Sequence, residues 1–116
     1  MSIINRYTDG SKGGNGGFQF NLVRDRRCIG SEVLALGDGD LGVLDFPDGV
    51  TYCICSVEGE SGIGIRYWSD GTLPTATAGH YFGDGGVFDV FNRDNISRIN
   101  IVGVGGDATV MVSYYK

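Results

Sequence analysis

His80 is the single histidine of this 116-residue chain and its one conventional general base. A serine or cysteine hydrolase sets such an imidazole against a nucleophile and holds it with a third group. No Gly-x-Ser-x-Gly elbow accompanies His80, which stands between Gly79 and Tyr81 where a strand is expected to begin. It reads as a rim histidine. The three cysteines, Cys28, Cys53 and Cys55, are an odd count, which argues against a closed disulfide framework. On a strand, Cys53 and Cys55 share a face about 6.6 Å apart with parallel Cβ vectors, which is poor bridging geometry. A zinc site needs more thiol or imidazole ligands than these. All three are expected to be reduced, mostly buried thiols that pack as small hydrophobes.

Carboxylates are more numerous, with 14 Asp and Glu. A glycosidase needs two of them across a cleft, but most lie in Gly-Asp turns, where Asp stabilises the turn itself. Asp38 and Asp40 stand two apart, as in calcium loops, and Asp84 or Asp45 could join them from another loop. The further ligands of an EF-hand loop are missing, so turn chemistry is the expectation. The run from Gly13 to Gly17 precedes no helical pattern and carries no Gly-Lys-Ser/Thr, so it is not a phosphate loop. No catalytic residue, metal ligand or cofactor is expected from the sequence, and the chain reads as a non-enzyme.

The elements that would position any site are short. The chain has room for one domain with one core. Its 41% hydrophobic and 20% charged composition fits a folded globular protein. Glycine occupies 21 positions without a G-X-Y period, which excludes collagen. No window shows a sustained helical stripe. The net charge of -5 speaks against a nucleic-acid surface. The one dense basic run is Arg24, Arg26 and Arg27, a solvated surface or a contact for an acidic partner. No apolar run approaches a membrane span, and no signal peptide is recognisable, so synthesis and folding in the cytoplasm, or exit by a route other than a signal peptide, are expected.

Residues 1–17 read as a weak strand with Ile3, Ile4 and Tyr7, followed by a flexible glycine-rich arm, either a loose loop or a segment that orders only on an assembly partner. Residues 18–116 read as the folded domain. Residues 18–23 alternate Phe18, Phe20 and Leu22 against Gln19, Asn21 and Val23. Further strands are expected at 32–36, 41–46, 51–57, 63–68, 80–82, 87–91, 97–104 and 107–115. The 51–57 strand is apolar on both faces and reads as central. A polar turn is expected at 92–95, and a hairpin over Gly105-Gly106 is expected to join the last two strands. Residues 69–79, with their Asp70-Gly71 turn and Pro74, read as a strand leaving one sheet for the other. About eight short antiparallel strands make an all-β chain, a single β-sandwich of jelly-roll or immunoglobulin-like type.

Residues 65–79, IRYWSDGTLPTATAG, resemble an I-R-Y-x-x-D-G-T-x-P-T-x-x-x-G segment of small β-sandwich proteins from tailed bacteriophages. Strands like 96–101 and 108–115 follow it there in the same order. A related segment occurs in immunoglobulin-like modules attached to chitin-degrading enzymes. The resemblance covers the second half of the chain. It implies a virion structural protein, a capsid decoration or cement protein on the capsid surface that contacts the major capsid protein or another virion protein. A homo-oligomer, dimer or trimer, would match the symmetry axes of a shell. No nucleic acid, membrane or cofactor is implied. The expected contact surface comprises Ile3, Ile4, Tyr7, Arg24, Arg26, Arg27, Trp68 and Tyr81. The alternative is a glycan- or host-surface-binding module of a phage fibre or appendage, with Trp68 and Tyr81 stacking on sugar rings.

Overall fold

The computed structural model describes residues 26–116. They form eight strands and one short helix: β1 (Cys28–Leu36), β2 (Leu41–Gly42), β3 (Tyr52–Glu58), β4 (Gly64–Trp68), β5 (His80–Gly83), β6 (Val87–Phe91), α1 (Arg93–Ser97), β7 (Asn100–Val104) and β8 (Ala108–Tyr115). They make two antiparallel four-stranded sheets, β1-β8-β3-β6 and β2-β7-β4-β5. The pairs β1·β8, β2·β7, β3·β6 and β4·β5 are all antiparallel. The first strand pairs with the eighth, the second with the seventh, and so inward to the fourth and fifth. A long antiparallel ribbon wound onto itself in this way is the jelly roll, and it decides between the two sandwiches open to the sequence.

Strand alternation supplies the core. From β3 come Cys53, Cys55 and Val57, from β8 Ala108, Val110, Val112 and Tyr114, and from β4 Ile65, all buried. Their partners include Phe88, Val90, Ile101 and Leu36. β3 lies inside its sheet between β8 and β6, as its apolar pattern demands. The cysteines divide: Cys53 and Cys55 are buried and free, whereas Cys28 is exposed and corrects the expectation for that residue. The Cys55 thiol is pushed up first by its hydrogen bond with Cys53 and then by burial, so it stays protonated.

Five other expectations are corrected. Residues 41–46 hold only the two-residue β2. Residues 92–95 are the cap and first residues of α1, and residues 97–99 are not strand. A helical turn brings Ile96 and Ile99, three apart, to the same side, and both are buried in the core. Gly105-Gly106 is not a hairpin, because β7 and β8 lie in different sheets. Gly105 has φ 89°, and a Cβ there would stand 2.6 Å from the Gly62 carbonyl oxygen, so a bare backbone makes this crossing. Finally, residues 69–79 cross nothing, since β4 and β5 pair within one sheet.

One set of loops is acidic throughout, and the other is mixed. The β1–β2, β3–β4, β5–β6 and β7–β8 connections gather at one pole with Asp38, Asp40, Glu58, Glu60, Asp84 and Asp107, and no Lys or Arg lies in them. At the other pole are Arg26, Arg27 and Lys116 beside the start of β1 and the end of β8, Arg93 in α1 and Arg98 just after it, interspersed with Asp45, Asp48, Asp70 and Asp94. The chain enters the described domain at this second pole, where Arg27 and Lys116 exchange backbone hydrogen bonds.

Candidate interaction surface

The 65–79 segment is strand β4 followed by an arm that folds back on its own sheet. Alternation puts Gly64, Arg66 and Trp68 on one face and the core residues Ile65 and Tyr67 on the other. At the base of the arm, Asp70 Oδ1 accepts the Thr72 N–H at 3.0 Å. That bond above all holds the exposed Asp70 carboxyl below the usual carboxylate range. Gly71 N–H donates to Arg98 O, and Asn100 Nδ2 donates to Gly71 O. Further along, Arg66 Nε donates to Ala76 O at 3.0 Å and Nη1 to Gly79 O at 2.7 Å. Pro74 is buried beneath this strap. Thr75 and Ala78 exchange backbone hydrogen bonds and close the arm into a compact turn.

The aromatic residues around the arm are engaged. Tyr67 stacks on Phe88 with ring centroids 4.3 Å apart, and Phe82 lies against both. His80 sits between Tyr67 and Trp68, at 5.3 and 5.2 Å. Trp68 is half-buried, and Tyr81, 44% exposed, has the Arg66 guanidinium over its ring at 5.2 Å. The structure places Trp68 and Tyr81 on adjacent strands, with Arg66 directly opposite Tyr81 in the register and Trp68 two residues along β4 from it. An exposed surface results, with Leu73 and Tyr81 its large apolar members.

The acidic residues do turn work. Asp40 Oδ2 accepts the Gly37 N–H, Asp38 Oδ1 the Gly105 N–H and Asp84 Oδ1 the Gly59 N–H. The last two bonds tie neighbouring loops of the acidic pole together. Among the described residues no three His, Cys, Asp or Glu groups converge as metal ligands.

Of the other sequence-stated contact residues, Ile3, Ile4, Tyr7 and Arg24 lie outside the described residues. Arg26 and Arg27 lie at the entry of the domain. Arg26 donates to Thr51 Oγ1, and its guanidinium stands 5.3 Å over the Tyr52 ring. A feature the sequence did not flag is the outward face of the β1-β8-β3-β6 sheet. There the register aligns Val33, Met111, Ser56 and Val87 across all four strands. Val33 is 66%, Met111 39% and Val87 60% exposed. The signal was available in the non-core positions of β1 and β8, but only the register sets them side by side.

No family model, curated protein or solved structure matches the chain. The functional reading therefore stands on geometry and on the 65–79 segment.

Proposed function

We propose that this protein is a non-enzymatic structural component of a phage virion, a decoration protein that binds the outer shell of the capsid and stabilises it. The observation that carries the reading is the arm of residues 69–79. The segment resembling phage sandwich proteins is built as a strap locked to a jelly-roll sheet by Arg66 and Asn100. At its far end His80 packs against the Tyr67 and Trp68 rings.

The entry of the chain supports an orientation. The described domain begins at the pole that carries Arg26, Arg27, Arg93, Arg98 and Lys116 among Asp45, Asp48, Asp70 and Asp94. In this proposal that pole faces the major capsid protein, residues 1–17 make contact with the shell, and the acidic pole points outward. Many copies each add a modest interface, and shell stability rises by mass action. Deleting residues 2–16 is expected to leave a folded domain that no longer cosediments with empty shells. Undiminished cosedimentation sinks the proposal. Stoichiometric presence on the surface of purified particles is the expected location.

A further inference from the structure

We infer that the open edge of β1 is a docking site for an extended, basic segment of a partner protein, which adds a strand to the β1-β8-β3-β6 sheet. This does not depend on the virion reading.

β1 ends its sheet, and among the described residues no strand lies beyond it. The ladder fixes where its free groups point. Arg27 and Lys116 exchange backbone hydrogen bonds, so Lys116 turns its N–H and C=O towards β1. Along an antiparallel strand this direction alternates, and Tyr114, Val112 and Val110 turn the same way. Their partners are Gly30, Glu32 and Leu34. Ser31, Val33 and Ala35 therefore point their N–H and C=O groups away from the sheet. All three are exposed, Val33 at 66%. With nine residues, β1 is longer than the other edge strands, β6 with five, β5 with four and β2 with two. Proline, lysine and bulges are the usual means of blunting an edge. β1 has no proline or lysine, and its register shift lies between Cys28 and Gly30, short of the open stretch.

Charge selects the occupant. Glu32 turns inward beside this edge, and its Oε2 accepts from both the Tyr114 hydroxyl and the Asp45 N–H. Its Oε1 has no partner among the described residues. Asp45 is exposed, and residues 28–65 hold no Lys or Arg. An inward charge at an edge repels any strand that would bury it unpaired. A second β1 would set Glu32 and Asp45 of the two copies together, with no cation from this stretch to separate them. An arginine or lysine opposite Glu32 instead supplies the missing donor. On the outward side the edge presents Val33 between the small Ser31 and Ala35, which suits an apolar neighbour. The occupant is thus a strand that alternates basic and apolar residues. Main-chain hydrogen bonds give it affinity, and Glu32 gives it specificity.

Amide hydrogen exchange on nitrogen-15-labelled full-length protein tests this. The probe is a short synthetic peptide of alternating arginine and valine, and its glutamate-valine counterpart is the control. Without peptide, Ser31, Val33 and Ala35 are expected to exchange fast while Glu32 and Leu34 are protected. With the arginine peptide free at about ten times its Kd, exchange at the three open amides should slow about tenfold, because only the unbound fraction exchanges. The glutamate peptide should leave them unchanged. Val33→Pro removes an open donor and no bond to β8. It is expected to abolish the peptide effect at Ser31 and Ala35 while the Trp68 indole resonance stays in place. Glu32→Gln keeps the open donors and is expected to erase the difference between the two peptides. An equal response of the unsubstituted protein to both peptides, or no response to either, overturns the inference. So does slow exchange at Ser31, Val33 and Ala35 without peptide. If dilution leaves that protection intact, the edge belongs to another part of the same chain, and if dilution removes it, to a second copy.

Discussion

Arg66 Nη1 donates to the Gly79 carbonyl at 2.7 Å, and through this bond a strand in the middle of a sheet holds the far end of the loop that leaves it. The same guanidinium binds Ala76 O and covers Tyr81, so one side chain closes the arm over the sheet and fixes the surface it presents. Its planar fork is what permits two carbonyls to be held at once.

Arg66→Ala is expected to open the arm while the sandwich stays folded. Two charge-assisted hydrogen bonds at a half-buried site put the cost at roughly 2 kcal/mol in denaturant unfolding. Hydrogen exchange of residues 72–79 should rise selectively. Arg66→Lys should recover only part of the protection, and full recovery by lysine would mean that charge alone holds the arm.

Gly103 is expected to refuse any side chain. A Cβ there would lie 2.2 Å from the Gly37 carbonyl oxygen, because the β1–β2 loop crosses β7 at this point with hydrogen bonds from Gly39 N to Gly103 O and from Gly103 N to Asp40 O. Gly103→Ala should cost about 3 kcal/mol by forcing backbone apart. At Gly30 the nearest atom to an added Cβ is Pro47 Cγ at 3.6 Å, so Gly30→Ala should stay within about 0.5 kcal/mol of the parent. Equal melting of the two variants would contradict the close approach.

Stability should fall steeply in alkali. Burial, reinforced by hydrogen bonds to Asp89 and Glu32, pushes the hydroxyls of Tyr52 and Tyr114 well above their ordinary range. A group whose folded pKa is raised keeps its proton in the native state after the unfolded chain has lost it. The contribution of these two tyrosines is therefore complete below pH ~10 and is lost as the pH climbs above it, at about 1.4 kcal/mol per unit for each. Tyrosinate absorbance should show both ionising only as circular dichroism reports unfolding. Tyr114→Phe should flatten the slope by one proton.

Thiol labelling should separate the three cysteines. Cys28 is exposed, whereas Cys53 and Cys55 have no exposed surface. One thiol per chain should react with a disulfide reagent in buffer and three in denaturant. Rapid labelling of all three in buffer would place Cys53 and Cys55 outside the core.

The all-β class, the central place of β3 and the buried Cys53 and Cys55 were legible because strand alternation has a period of two and marks the inward side chains locally. The Gly-Asp loops were legible for the same local reason, since Asp satisfies a turn N–H within or beside its own loop. α1 was not, because five residues are too few for a helical stripe, although Ile96 and Ile99 carried the spacing.

Strand partners are another matter. Gly105-Gly106 fits a hairpin and a crossing equally well by its residues, and the 69–79 arm fits a return to its own sheet as well as an exit. Every strand offers the same backbone donors and acceptors, so ladder chemistry alone does not choose a neighbour. The sequence by itself determined which side chains turn inward, where the chain bends, and that one core unites short strands. The tertiary structure decided that β1 pairs with β8 and β4 with β5, that Arg66 meets Gly79, and that Val33, Met111 and Val87 share a row. Those outcomes depend on how inward side chains of distant strands fill one interior together, a non-local condition that no window of sequence contains.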